Sequence, residues 1–151
     1  MVMSDRIALL RSGELEQVAT PREIYGHPAT TYVAQFIGHT NLLKCEVRGG
    51  VVHCGPLKWP ASLPDGSSLF SLRPESIRLA SPDMATPGRV RVRGNVRHQA
   101  FHGATELIRV QCGDGLLLVV RTAGGSGMLD DVELEFTPND AALVRESPER
   151  M

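Results

Sequence analysis

The side chains best suited to chemistry in this chain are few and scattered. His98 and His102 stand four positions apart, an interval that on a helix would hold a metal ion between two imidazoles. Their surroundings, Val96 through Gly103, read instead as strand and turn, which puts both rings on one strand face but too far apart to chelate. Three cysteines, Cys45, Cys54 and Cys112, are an odd number at spacings that match neither a zinc ribbon nor a redox pair, so they read as buried or edge thiols. Gly124-Gly125-Ser126-Gly127 is the longest glycine cluster, but a phosphate-cradling loop also needs a Gly-Lys pair ahead of a helix, and no Gly-Lys occurs in the 151 residues. The cluster reads as a turn between strands. With no nucleophile-base-acid set, metal cluster or phosphate loop, no catalytic, cofactor-binding or metal-ligating residue is assigned, and no enzymatic activity is expected of this chain alone.

One further pattern bears on partners. Arg89-Val90-Arg91-Val92-Arg93 alternates strictly, so its arginines share one face of a strand. Such a strip could follow a phosphate backbone, which makes a free-standing nucleic-acid binder the alternative reading. Val132-Glu133-Leu134-Glu135-Phe136 alternates in the same way with acids, and pairing of the two strands would neutralise the strip. A formal net charge of −1 and an aromatic content of 5% favour neutralisation, so nucleic acid is not the expected partner.

The elements that carry these residues follow from punctuation and period. An apolar fraction of 42% supports a folded core. Arg6 to Leu10 and Leu15 to Val18 flank Arg11-Ser12-Gly13-Glu14, which is hairpin chemistry. Thr20-Pro21-Arg22-Glu23 sets a capping hydroxyl before a proline at the first helical position, predicting a helix over Pro21 to Tyr25. Tyr32, Val33, Phe36 and Ile37 line one face of a second helix, with Gly38 as its C-terminal cap. This strand-strand-helix-helix appendage is too small to bury a core by itself. From Asn41 onward, nine candidate strands lie between short glycine and proline turns, the pattern of an all-β barrel or sandwich. The run Leu116-Leu117-Leu118-Val119-Val120 is apolar on both faces, as expected of a central barrel strand or of one whose outer face meets a partner. No apolar run of about 18 residues predicts a spanning helix, and no leader pattern is visible, which points to the cytoplasm.

Two segments carry a family resemblance. Asp5-Arg6-Ile7-Ala8, running through Thr20-Pro21-Arg22-Glu23-Ile24-Tyr25 to Phe36-Ile37-Gly38, resembles the end of the nucleotide-binding domain in ABC-importer ATPase subunits of polyamine, iron and sugar type, just after their switch histidine. Gly38-His39-Thr40-Asn41-Leu42-Leu43 is similar to the joint that leads from there into their regulatory module, the transport-associated OB (TOBE) domain. Arg73-Pro74-Glu75, Phe101-His102-Gly103 and Thr137-Pro138-Asn139-Asp140-Ala141 resemble elements inside that module. Ala19 departs from the glycine usual before Thr-Pro, and the Ser-Ala-Arg-Asn motif of molybdate-binding relatives is absent, so no molybdate site is expected.

The resemblance implies a mainly β fold of OB-like barrels. It divides the chain into residues 1–38, the remnant of a nucleotide-binding domain, residues 39–146, the TOBE-type regulatory domain, and a tail, 147–151. It implies a regulatory and dimerisation role without ATP hydrolysis, ATP and magnesium belonging to a full-length subunit. Partners implied are a second copy, an ABC nucleotide-binding domain, membrane permease subunits and a small regulatory solute. The transported solute expected first is a polyamine, then iron or sugar, and the location is cytoplasmic, at the inner face of the plasma membrane. Candidate regulatory or interdomain contacts are Asn41, Arg73, Glu75 and Gly103. Arg73 and Glu75 are expected to orient a turn through a local ion pair, or to touch the ATPase domain or a second subunit. Asn41 is expected to satisfy turn backbone rather than to bind a ligand.

Overall fold

Hairpin chemistry and strict alternation account for most of the architecture. The computed structural model describes residues 5–81, 87–113, 115–124 and 127–146. Strands β1 (Ile7–Arg11) and β2 (Glu14–Ala19) form a two-stranded antiparallel hairpin whose turn holds Ser12 at φ 52°. Helix α1 (Pro21–Gly26) starts where the Thr20 hydroxyl accepts the Glu23 N–H at 3.2 Å. Helix α2 (Thr31–Ile37) is capped likewise by Thr30, which accepts the Val33 N–H. The buried face of α2 is Val33 and Ala34, whereas Phe36, expected on that face, is 62% exposed. Gly38 ends α2 in extended backbone, at φ 168°, rather than in the left-handed cap expected.

Ten strands follow in two five-stranded antiparallel sheets. One contains β3 (Asn41–Arg48), β4 (Val51–Cys54), β5 (Leu57–Pro60), β6 (Gly66–Leu72) and β12 (Ala141–Val144), ordered β12-β6-β3-β4-β5. The other contains β7 (Arg78–Ala80), β8 (Val90–His102), β9 (Thr105–Gln111), β10 (Leu117–Ala123) and β11 (Asp131–Phe136), ordered β10-β9-β8-β11-β7. The second sheet curls until its edge strands β7 and β10 approach each other, as in an OB-like barrel. Inward residues of both sheets merge in one core. Trp59 meets Phe70 and Phe136 edge to face, at ring separations of 5.4 and 5.8 Å, and so ties the sheets together.

The long strand β8 serves two partners, and its geometry shows how. Residues up to Asn95 pair with β11, and Asn95 onward pairs with β9. Between Val96 and His98 the register slips by one residue, leaving Arg97 as a β-bulge that increases the local twist. Just before it, Gly94 is where β8 crowds its neighbour. A Cβ there would lie 2.5 Å from Val110 Cγ1 and 2.7 Å from the Gln111 carbonyl oxygen. Only hydrogen fits at that corner.

The run at Leu116–Val120 is neither a central strand nor evenly buried. β10 is an edge strand; Leu118 and Val120 are fully buried while Leu117 is 44% exposed. All three cysteines are buried and free. Cys45 and Cys54 share a thiol hydrogen bond across neighbouring strands that holds the Cys45 proton, and burial pushes Cys112 up to about 11. The expected tail, 147–151, and the turn residues Asp114, Gly125 and Ser126 lie outside the described residues.

The appendage keeps a small core of its own, Leu9, Ala19, Ile24 and Val33. At about 1.5 to 3 kcal/mol per buried side chain, four such residues fall far short of the ordering cost of some thirty residues, at about 1 to 2 kcal/mol each. It leans on the barrels instead. Thr30 forms a parallel bridge with Arg145 just beyond β12, where Thr31 N–H donates to Arg145 O and Arg145 N–H to Ala29 O.

Two outcomes follow from this packing. Gly94→Ala is expected to destabilise the chain by about 2 kcal/mol or more, read as a lower midpoint in denaturant unfolding. The raised Cys112 thiol predicts falling stability as pH rises from about 9 toward 11, because the unfolded chain loses that proton first while the folded chain retains it. Cys112→Ala should lose less stability than the parent across that window in pH-stepped unfolding curves.

Candidate functional site

Three of the four residues singled out in the sequence meet at the seam between the helices and the sheets. Arg73 leaves the end of β6, just before a single 3₁₀ turn at Pro74–Ser76, and is 5% exposed. Its guanidinium points back into the appendage. Nη1 donates to the carbonyls of Ala34 (2.9 Å), His39 (3.1 Å) and Gly38 (3.2 Å), while Nε and Nη2 both donate to the Tyr25 carbonyl at 3.3 and 3.1 Å. These are the last carbonyls of α1 and α2 and of the segment after α2, groups a helix end leaves without partners.

No Arg73–Glu75 ion pair forms among the described residues, contrary to the local pairing expected. The two side chains instead engage different parts of Tyr25. The guanidinium lies 4.4 Å from the Tyr25 ring centre, a cation–π contact. The Tyr25 hydroxyl donates to the Glu75 carboxylate, at 2.8 Å to Oε2 and closer still to Oε1. Partial burial and then this bond push Tyr25 up to about 12, while burial draws Arg73 below its ordinary value against the pull of Tyr25 and Glu75. The arrangement is a clamp: backbone carbonyls hold the guanidinium, the guanidinium lies over the Tyr25 ring, and the Tyr25 hydroxyl holds the carboxylate.

Asn41, the first residue of β3, is also buried. Its side-chain amide acts as one more rung of a ladder against the free edge of β10. Oδ1 accepts the Val119 N–H at 2.8 Å, and Nδ2 donates to the Val119 carbonyl at 2.9 Å and to the Leu72 carbonyl at 3.1 Å. The backbone it satisfies is strand backbone 78 positions away rather than a turn. Gly103 lies elsewhere. It makes the β8–β9 turn at φ +70°, with nothing within 4 Å of a would-be Cβ, so its part is to let the chain reverse. The clamp and Gly103 are not brought together.

The basic strip is largely neutralised. Arg89 bonds Glu135 at 3.4 Å and Arg91 bonds Glu133 at 3.1 Å across the β8–β11 pair. His98 faces Arg109 and His102 faces Thr105 on β9, four residues apart along the strand. Tyr25 was missed by sequence reasoning, which read it only as a helix end. The aromatic ring at the last turn of a helix, opposite an Arg-Pro-Glu element, is the signal that could have marked it.

Comparison with known proteins places this geometry. The TOBE domain family matches residues 70–144, from β6 through the end of β12. Residues 70–144 are a TOBE domain. Over most of its length the chain is similar to ATP-binding subunits of ABC importers. It is 34% identical over 146 residues to the sn-glycerol-3-phosphate import ATP-binding protein UgpC of Cereibacter sphaeroides, covering 95% of this chain and 40% of that protein. It is 36% identical to the spermidine/putrescine import ATP-binding protein PotA of Thermobifida fusca, covering 80% of this chain and 34% of that one. It is 31% identical to the Fe(3+) ions import ATP-binding protein FbpC of Rhizobium etli, covering 95% and 42%. The chain thus spans about two fifths of the curated relatives it matches. The crystal structure of the cytoplasmic molybdate-binding protein ModG shares the fold, with a TM-score of 0.57 at 14% identity over 68% of this chain and 94% of that one.

Arg73, Glu75 and Gly103 therefore lie inside the TOBE domain, whereas Asn41 and the carbonyls that Arg73 binds precede it. The clamp crosses that boundary. Arg73→Ala is expected to lower unfolding stability by at least about 3 kcal/mol, since it abandons several charged hydrogen bonds at once. Limited proteolysis should then cut first between α2 and β3. Tyr25→Phe, which removes only the bond to Glu75, should cost about 1 kcal/mol. Equal melts for Arg73→Ala and the parent would mean that the clamp contributes nothing.

Proposed function

We propose that this chain is the regulatory and dimerisation region of the ATP-binding subunit of an ABC importer, with residues 1–38 the closing segment of its nucleotide-binding domain and 39–146 its regulatory domain. The observation that carries the reading is similarity to import ATP-binding subunits across both the appendage and the barrels, not across the TOBE domain alone. The appendage is too small to stand without support, and the barrels seat it through Arg73 and the Thr30–Arg145 bridge. In this reading two rigid barrels hold two ATPase domains at high effective concentration, so that they can part after hydrolysis without dissociating. Permease subunits at the inner face of the membrane are the partners of the full subunit. A regulatory solute would act through unequal affinity for its open and closed states.

The polyamine expected from the sequence stands beside sn-glycerol-3-phosphate and iron(III), the solutes named for similar proteins. One tail serving such different cargoes supports placing selectivity in other subunits. The chain carries no Gly-Lys pair for a phosphate loop, which supports a role without ATP hydrolysis of its own. The nucleic-acid alternative loses its main support, because Arg89 and Arg91 already pair with glutamates.

Light scattering over a dilution series tests the dimerisation role. A mass twice that of the chain, persisting to low micromolar concentration, is the expected result. A strict monomer at every concentration would overturn it.

A further inference from the structure

The bulge in β8 does something the barrel alone does not need. Two residues, Arg97 and His98, stand opposite a single residue, Arg109, so three basic side chains converge on the outer face of the sheet. They line a cleft of about 580 Å³ with Gln111 and Leu117, and no carboxylate lines it among the described residues. Two described acids on the same sheet are already engaged. Glu106 accepts from Gln99 Nε2 at 3.0 Å, and Asp131 accepts from the Asn95 amide. Gln111 spends its Nε2 on the carbonyls of Gly113 and Leu116 at 2.7 and 3.2 Å. In contrast to Arg89 and Arg91, neither Arg97 nor Arg109 has an ion pair among the described residues.

From this geometry we infer that the cleft of Arg97, His98 and Arg109 is a binding site for a small phosphate monoester. Two guanidinium forks and an imidazole supply donors suited to a doubly charged oxyanion. The exposed side chain of Leu117 forms one wall, giving the carbon skeleton of an ester an apolar surface that bare phosphate would not use. The charge is gathered in one concave place, in a chain of net charge −1, with no aromatic side chain lining the cleft. That favours a compact solute over an extended nucleic-acid strand, which needs a long basic track and stacking surfaces. The site does not depend on the dimerisation role and is read on monomer or dimer alike.

Calorimetric titration of the whole chain with ethyl phosphate, inorganic phosphate and sodium chloride at matched ionic strength tests it. Saturable binding of ethyl phosphate, tighter than that of inorganic phosphate, is expected. Arg97→Gln and Arg109→Gln should each weaken it at least tenfold, while Lys58→Gln, on the exposed face of β5, should leave it unchanged. In the unaltered chain, NMR signals of the His98 ring should shift along the same binding curve, a reading independent of how the variants fold. Heat no different from sodium chloride, a response indifferent to Arg97 and Arg109, or binding to phosphatidylglycerol vesicles without binding to ethyl phosphate would each overturn the inference.

Discussion

A guanidinium taken out of water must find acceptors, and Arg73 finds them in backbone. Removing a cation from solvent costs several kcal/mol unless its donors are satisfied. Here the donors meet carbonyls at the ends of two short helices, where acceptors are left over and where the helix dipole favours positive charge. The interaction is therefore reciprocal. The helices bury the arginine, and the arginine acts as a tertiary C-cap for both. This explains why α2 ends at Gly38 without a left-handed turn: the Ala34 carbonyl, which such a turn would satisfy, is bonded to Nη1 instead. Helices of six and seven residues have little stability in isolation, so their order is borrowed from the sheet that supplies this side chain.

Asn41 solves the complementary problem at the other face of the seam. A curled five-stranded sheet leaves an edge with unpaired N–H and C=O groups, and β10 is such an edge. A side-chain amide has the same donor and acceptor as a peptide group. Placed at the first position of β3, it pairs with Val119 as a strand would, and its third bond, to Leu72, ties the same amide to the residue before Arg73. The two sheets and the two helices thus converge on about three consecutive peptide units around Leu72 and Arg73. Substitution at either residue exposes groups contributed by several elements, which is why the seam behaves as one cooperative unit rather than as separate contacts.

The elements were legible because their signals are local. Ser12-Gly13 marks a tight turn, Thr20-Pro21 marks a helix start, and the alternation of valine with arginine or glutamate in β8 and β11 marks strands with one solvated face. Even the pairing of the two charged strips could be read, since opposite charges favour facing each other. The bulge at Arg97 could not. A one-residue slip leaves no mark in composition, and the phase flip it causes sets Gln99, not an apolar residue, opposite buried Ile108, so no apolar alternation reports it. The clamp was hidden for a different reason. Arg73 binds backbone carbonyls 34 to 48 positions away, and every residue type carries a carbonyl, so nothing in the sequence distinguishes those acceptors. The local Arg73–Glu75 pair was the natural expectation because both partners were visible; the ring of Tyr25 takes its place. Asn41 was understood in kind, as a residue that satisfies backbone, but the backbone belongs to a strand that only the closed barrel brings near.

Mechanical consequences follow from where the clamp lies. Arg73 belongs to the TOBE domain while its acceptors precede that domain, so a rotation of one against the other would stretch all five hydrogen bonds together rather than one at a time. Neither water nor a neighbouring side chain can replace them without entering a site that is 5% exposed. Small rotations are therefore resisted stiffly, and the helices follow the barrels as one body. For the regulatory role proposed above, this is the useful property. Coupling between distant sites needs an element with discrete arrangements, and it is lost wherever a soft joint absorbs the displacement. In that proposed role a stiff seam would move any switching outward, to the outer surfaces of the barrels, and let the appendage follow that change without adding a hinge of its own.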